Sequence, residues 1–310
     1  MSFSPSFSFQ TLRRDVQISG IGLHTGATIT ARLRPRAACG LVFVRMDLPE
    51  SPQIAVTSRS VVSTTHATTL EQQGAQVSTT EHLLAALWAM NITHCCIELN
   101  GPEVPILDGS AQGWCRLIED AGVVAIGGSA PTDLPAVTSN CHEELPQDRQ
   151  RPLYRLQEPV WVTDGDGSVL GVPCNQFRLT VVVDYNLDYV GQQAIDLNVT
   201  PSSFQKELAP ARTFTLEQWI APLQAQGLIK GGSTDNAIVL GQDAPSSPWR
   251  FANELARHKA LDVVGDVALL FGEDGGALQA HLIAIRAGHS LHRRWMEECL
   301  RQSALVKTVA

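Results

Sequence analysis

The chain has 310 residues, 44% of them hydrophobic and 17% charged, with a formal net charge of −8. That length suits one large domain or two ordinary ones, and that balance excludes a disordered polymer. The acidic charge and the lack of any Lys/Arg-rich run argue against a duplex-binding surface, so no nucleic-acid partner is expected.

The N-terminus, Met1-Ser2-Phe3-Ser4-Pro5, lacks the basic start and apolar block of a secretory signal. No apolar run approaches the ~20 residues of a membrane span. Seven scattered cysteines without a CxxC pair fit reduced thiols. A cytoplasmic, monomeric protein with no transmembrane segment is the expectation.

In chain order, Val16–Gly20 and Ala27–Leu33 alternate as strands around the glycine-bounded turn Gly22-Leu23-His24-Thr25-Gly26. Gly40–Arg45 is a further strand, Glu81–Met90 a helix, Thr93–Leu99 a strand carrying the core thiols Cys95 and Cys96, and Ser110–Ala121 a helix capped by Ser110. Residues 127–152 lose all alternation and are rich in Gly, Pro, Ser and charge, which predicts a linker between units 1–126 and 153–310. Strands resume at Leu153–Thr163, Ser168–Gly171 and Phe177–Asp184. A helix over Thr215–Gln226 ends at Gly227, and a long helix covers Phe251–Phe271. A strand at Leu278–Ile285 and a helix over Ser290–Gln302 close the chain. Runs of strands and then helices in each half predict an α+β fold.

Two distant segments carry the chemistry. Along Phe251–Phe271, His258, Asp262 and Asp266 fall at i, i+4, i+8 on one face, amid Ala260, Leu261, Val263 and Val264. Two carboxylates and an imidazole among apolar neighbours are costly to bury unless paired. A divalent cation would pair them, although a solvated face with Lys259 and Asp262 paired at i, i+3 is the plainer alternative. If His82 supplies a third ligand, the set is His, His, Asp, the three-ligand pattern of a catalytic zinc with a fourth position open.

Other positions stay open on the residues alone. Glu81 either closes a capping box with Ser78 or acts as a general base beside a ligating histidine. His289, between a strand and a helix, either caps that helix or serves as an acid oriented by Asp266. Thr213 is a helix cap or a hydroxyl donor to an oxyanion. Leu216, Trp219, Ile220 and Leu223 form an i, i+3, i+4, i+7 stripe that suits core packing or an acyl-chain channel. The stretch Gly231–Ala237 lacks the spaced Gly-Lys-Ser/Thr of a phosphate loop.

Taken in order, Gly20–Gly26, Ser78–Leu84, Pro102–Ser110, Ala211–Phe214, Gly231–Ala237, His258–Asp266 and Gly288-His289 resemble the UDP-3-O-acyl-N-acetylglucosamine deacetylases, zinc enzymes of lipid A biosynthesis. The resemblance runs from about Thr11 to about Arg293. It implies two similar α+β domains, each a mainly antiparallel sheet packed on helices, with the helices sandwiched between the two sheets. It also implies Zn2+ held by His82, His258 and Asp262, Glu81 as general base, and His289 as general acid or electrostatic stabiliser oriented by Asp266. Thr213 matches the oxyanion-stabilising threonine, and Lys259 a lysine that holds the UDP-linked acylated amino-sugar substrate. Phe214, Leu216, Trp219, Ile220 and Leu223 fall on the acyl-chain passage. Two departures stand out: a long linker at 127–152, and His66, a candidate ligand for an extra, inhibitory metal. Competing readings are a zinc amidohydrolase acting on another acylated amino sugar and a lipid-sugar binding protein without turnover.

Overall fold

The computed structural model describes residues 8–37, 40–126 and 150–309. The expected signal-free N-terminus and residues 127–149 of the expected linker lie outside these. Arg151 and Pro152, however, belong to ordered structure. Pro152 opens a strand, and the buried Arg151 side chain donates to the Gly275 and Gly276 carbonyls and to Asn91.

The architecture is mixed α+β, with mostly antiparallel sheets on either side of helices. The first large sheet has five strands in the order Val16–Ile21, Thr28–Pro35, Cys95–Leu99, Leu41–Arg45, Gln53–Ala55. The second has seven and is built around Ala277–Ile285. That strand pairs in parallel with Phe177–Asp184 and with Pro152–Leu156, and antiparallel with Gly167–Val172.

Between the sheets lie α1 (Glu81–Ala89) and α2 (Gln112–Ala121) from the first half. After the single turn α3 (Pro201–Ser203) and the exposed α4 (Glu217–Ala225), α5 (Glu254–Val267) and α6 (His289–Arg301) join them. Every residue of α1 is buried, which is the fate of a helix apolar on all sides. One apolar cluster runs through both halves, from Leu12 to Ala304.

The predicted elements recur with shifted ends. The helix expected from Ser110 starts at Gln112 with Ala111 as its N-cap, and that over Phe251–Phe271 is Glu254–Val267 followed by a 3-10 turn. There are three further differences. Leu153–Thr163 is two strands, Pro152–Leu156 and Val160–Asp164, interrupted at Gln157-Glu158-Pro159. Thr215–Gln226 begins as a short strand, Phe214–Leu216, paired in parallel with Ile238–Leu240, before α4 starts. Several short strands, among them Thr69–Gln72 and Ala75–Val77, have no sequence signal because three or four residues carry too little periodicity. Cys95 and Cys96 are buried free thiols, as expected, with burial pushing the Cys96 thiol up to about 11.

What positions the site is the crossing of α1 over α5. A Cβ placed on Gly265 would lie 2.1 Å from the Glu81 carbonyl oxygen, so the two backbones touch there. Gly265→Ala is therefore expected to destabilise the fold by about 1–3 kcal/mol through overpacking. Chemical denaturation checks this, and an unchanged midpoint would deny that the contact is tight.

Candidate metal centre

The α1–α5 contact puts the start of α1 against the middle of α5. His82, one residue into α1, faces His258 with ring centroids 5.0 Å apart and nearly perpendicular. Asp262 Oδ1 lies 3.5 Å from His258 Nε2 and 3.8 Å from His82 Nε2. All three side chains are buried, and their ligand atoms fall within 4.8 Å of one another.

The fit to a cation can be judged from these atoms. Asp262 Oδ1 is buried and has no hydrogen-bond partner, a costly state for a carboxylate oxygen unless an ion completes it. His258 Nδ1 lies 3.1 Å from the Ala211 carbonyl, so that nitrogen carries the proton and Nε2 presents its lone pair. Burial first, and then the neighbouring imidazole, pushes His82 down to about 3, and burial likewise lowers His258; both rings are neutral, as ligands must be. Burial would raise Asp262, but Lys259 and the three facing histidines outweigh it and hold the carboxylate well below its usual range. Two neutral imidazoles and one carboxylate around an orphaned oxygen suit a divalent cation.

Lys259 Nζ sits 2.9 Å from Asp262 Oδ2, leaving Oδ1 for the centre. The i, i+3 pair anticipated from sequence thus exists, but in the interior rather than on a solvated face. Lys259 also lies 5.5 Å from the centroid of the Phe214 ring.

Glu81 does not close a capping box. The Ser78 hydroxyl turns to the Pro102 carbonyl, Thr80 is the N-cap without a side-chain cap bond, and Glu81 Oε2 accepts from the Thr68 amide at 3.2 Å. Burial pushes the Glu81 carboxyl up to about 7; His289 pulls it down, while Asp262 and Asp266 add to the rise.

His289 opens α6, with Gly288 as N-cap. Its Nδ1 is 2.7 Å from Asp266 Oδ2, and its Nε2 is 4.0 Å from Asp262 Oδ2. Burial works against its charge, yet Asp266, by charge and hydrogen bond, then Asp262 and Glu81, hold His289 up at about 9. The cluster therefore pairs a carboxyl titrating near neutrality with an imidazole that keeps its proton.

Thr213 is not a helix cap. Its amide donates to the Gly109 carbonyl at 2.7 Å and its carbonyl accepts from Ile238 at 2.9 Å, while its hydroxyl makes no hydrogen bond among the described residues. The segment is pinned by Arg212, whose guanidinium pairs with the buried Glu254 at 2.9 Å. Of the apolar stripe, only Leu216 and Leu223 are buried; Ile220 and Phe214 are half-buried and Trp219 is 47% exposed. That is not core packing. His66 is exposed and contributes to neither of the potential metal-binding groups found among the described residues.

Several residues near the centre went unread in the sequence. Thr68 donates its hydroxyl to Asp266 Oδ1 at 2.7 Å while its amide holds Glu81, tying the carboxyl and imidazole ends together. His292 reaches Asp266 as well. A cavity of about 290 Å³ is lined by Val183, Asp184, Tyr185, Asn186, Arg286 and Ala287. Its Tyr185 ring packs edge-on to Phe214 at 5.1 Å, and Phe214 lies 6.0 Å from His258, so aromatic contacts lead from the cavity to the centre. An i, i+3 count from His289 would have flagged His292. Thr68 and the cavity depend on chain crossings that no local pattern encodes.

A buried His-His-Asp centre flanked by a carboxyl of raised pKa and a protonated imidazole defines a metal-dependent hydrolase type of site. Residues 9–301 match the profile of the UDP-3-O-acyl N-acetylglycosamine deacetylase family. Similar proteins named UDP-3-O-acyl-N-acetylglucosamine deacetylase include one from Nostoc sp., 40% identical over 94% of this chain and 98% of its own length. A relative from Thermosynechococcus vestitus is 41% identical over 91% and 90% of the two chains, and one from Myxococcus xanthus 34% identical over 98% and 90%. The chain belongs to this deacetylase family. No helix among the described residues is long and apolar enough to cross a membrane.

Proposed function

We propose that the protein hydrolyses the acetamide of UDP-3-O-acyl-N-acetylglucosamine to acetate and the free amine, using zinc held by His82, His258 and Asp262. The observation that carries this reading is the orphaned Asp262 Oδ1 beside two neutral imidazoles, with Glu81 and His289 close enough to shift one another's protonation. When bound, zinc would supply Lewis acidity, acidifying water and polarising the amide carbonyl.

The chain's own residues do the rest. Glu81 takes a proton from the attacking water. The Thr213 hydroxyl, which makes no hydrogen bond among the described residues, donates to the oxyanion that develops on the carbonyl. His289, protonated on Nε2 and steadied through Nδ1 by Asp266, donates to the departing sugar nitrogen. Phe214, Leu216, Trp219, Ile220 and Leu223 line the way for the acyl chain; an apolar helix left exposed suits a removable aliphatic ligand better than a fixed core. Lys259 faces the substrate beside the metal ligands. Arg286 and Tyr185 give the adjoining cavity a cation and an aromatic ring for a nucleoside diphosphate.

The test is acetate release from the UDP-linked sugar, with and without the 3-O-acyl chain, alongside metal analysis. One zinc per chain is expected, with activity lost to a chelator, restored by zinc, and strongly dependent on the acyl group. Acetate release that survives complete metal removal would refute the zinc reading. Equal rates on the unacylated sugar would refute the acyl-chain assignment.

A further inference from the structure

Asp266 holds more than His289. On α6, residues three apart share a face, so His289 and His292 point the same way. Both Nδ1 atoms lie 2.7 Å from the same oxygen, Asp266 Oδ2, with the rings 6.0 Å apart and nearly perpendicular. The other oxygen, Oδ1, accepts from the Thr68 hydroxyl at 2.7 Å. An ionised carboxylate only accepts, so each imidazole donates its Nδ1–H. His292 and Asp266 are 2% and 1% exposed.

We infer that His292 is a positioning residue: its Nδ1–H, with the Thr68 hydroxyl, fixes the Asp266 carboxylate so that His289 is aimed by a rigid acceptor. The physical argument is one of counting constraints. Thr68 fixes Oδ1 and His292 fixes Oδ2, so two contacts other than His289 set the plane of the carboxylate. Without His292, one charge-assisted bond is lost and the carboxylate is free to turn about its Cβ–Cγ bond. His289 would follow it, and small errors in aim are costly in proton transfer. His292 itself is buried, with its Nδ1 held by Asp266. The same three residues are spaced closely enough to hold an ion, but the two short imidazole–carboxylate contacts are those of direct hydrogen bonds, so the geometry favours the proton-bridged arrangement.

The inference deepens the deacetylase reading and relies on it only for turnover, so one readout is independent of activity. In the zinc-loaded enzyme, His292→Leu is expected to lower kcat by about 10- to 100-fold, the usual range for residues supporting a site from behind. KM should stay within about twofold and zinc at one per chain. His292→Asn, whose amide nitrogen takes the place of Nδ1, is expected to restore most of kcat. By nuclear magnetic resonance, the wild type should show hydrogen-bonded Nδ1–H signals for both histidines. The His289 signal should shift or broaden in His292→Leu and return in His292→Asn. An Asn variant as slow as the Leu variant, a loss expressed in KM alone, or an unmoved His289 signal would overturn the inference. Intact signals in a wild type that releases no acetate would instead overturn the deacetylase reading and leave the positioning role standing.

Discussion

Glu81→Gln is expected to reduce kcat by about 10²- to 10⁴-fold, the usual contribution of a positioned general base, while zinc content and stability stay close to wild type. Gln keeps the size of the side chain and an oxygen for the Thr68 amide, so the local hydrogen bond survives. What disappears is the ability to accept a proton. Burial makes this carboxyl unusual: at about 7 it is far more basic than an exposed glutamate. The sign of the pH dependence follows. The base is active when deprotonated, so the wild-type rate rises as pH climbs through the Glu81 pKa. A bound cation close by favours the carboxylate, which places that limb at or below 7. The acid is active when protonated, so the rate falls as pH passes the His289 pKa near 9. The residual activity of Glu81→Gln should lose the acidic limb and keep the basic one. Steady-state kinetics from pH 5 to 10 checks both statements, and a variant with wild-type turnover would remove Glu81 from the mechanism.

Asp262→Asn is expected to abolish stoichiometric zinc binding and turnover together. It should also weaken the fold, which the Glu81 change should not. The reason is Lys259, whose ammonium rests on Asp262 Oδ2 with the side chain only 21% exposed. Removing the charge of one partner in such a pair costs about 3–5 kcal/mol when burial is complete, and the residual exposure of Lys259 places this case at the lower end. Replacing both, with Asp262→Leu and Lys259→Met, should recover most of the lost stability, because an apolar pair needs no compensation, yet should bind no zinc. Metal analysis beside thermal unfolding separates the two effects. One zinc per chain in Asp262→Asn would show that the cation is held elsewhere.

The sequence carried the ligand side of the site because it is local. His258, Asp262 and Asp266 follow the helical repeat of α5, and an apolar surround marks charges that need a partner. His82 and Glu81 were less decided. The Ser78-x-x-Glu81 spacing fits a capping box, and only the strand pairing that draws Ser78 to Pro102 and brings Thr68 over Glu81 removes that alternative. Thr213 reads more readily as a plain cap, since threonine is a favoured residue just before a helix. Here a short parallel strand pair intervenes, and the hydroxyl makes no hydrogen bond among the described residues.

Helix periodicity, strand alternation and motif order thus sufficed for the α+β class, the long α5 and the family, because each is written within a few turns or residues of chain. The meeting of Glu81 with Asp266 through Thr68, the doubling of imidazoles on one carboxylate oxygen, and the cavity beside Tyr185 were decided by the tertiary structure alone. The first of these sits beside the backbone contact at Gly265, and a contact between residues nearly two hundred positions apart leaves no periodic trace in either segment.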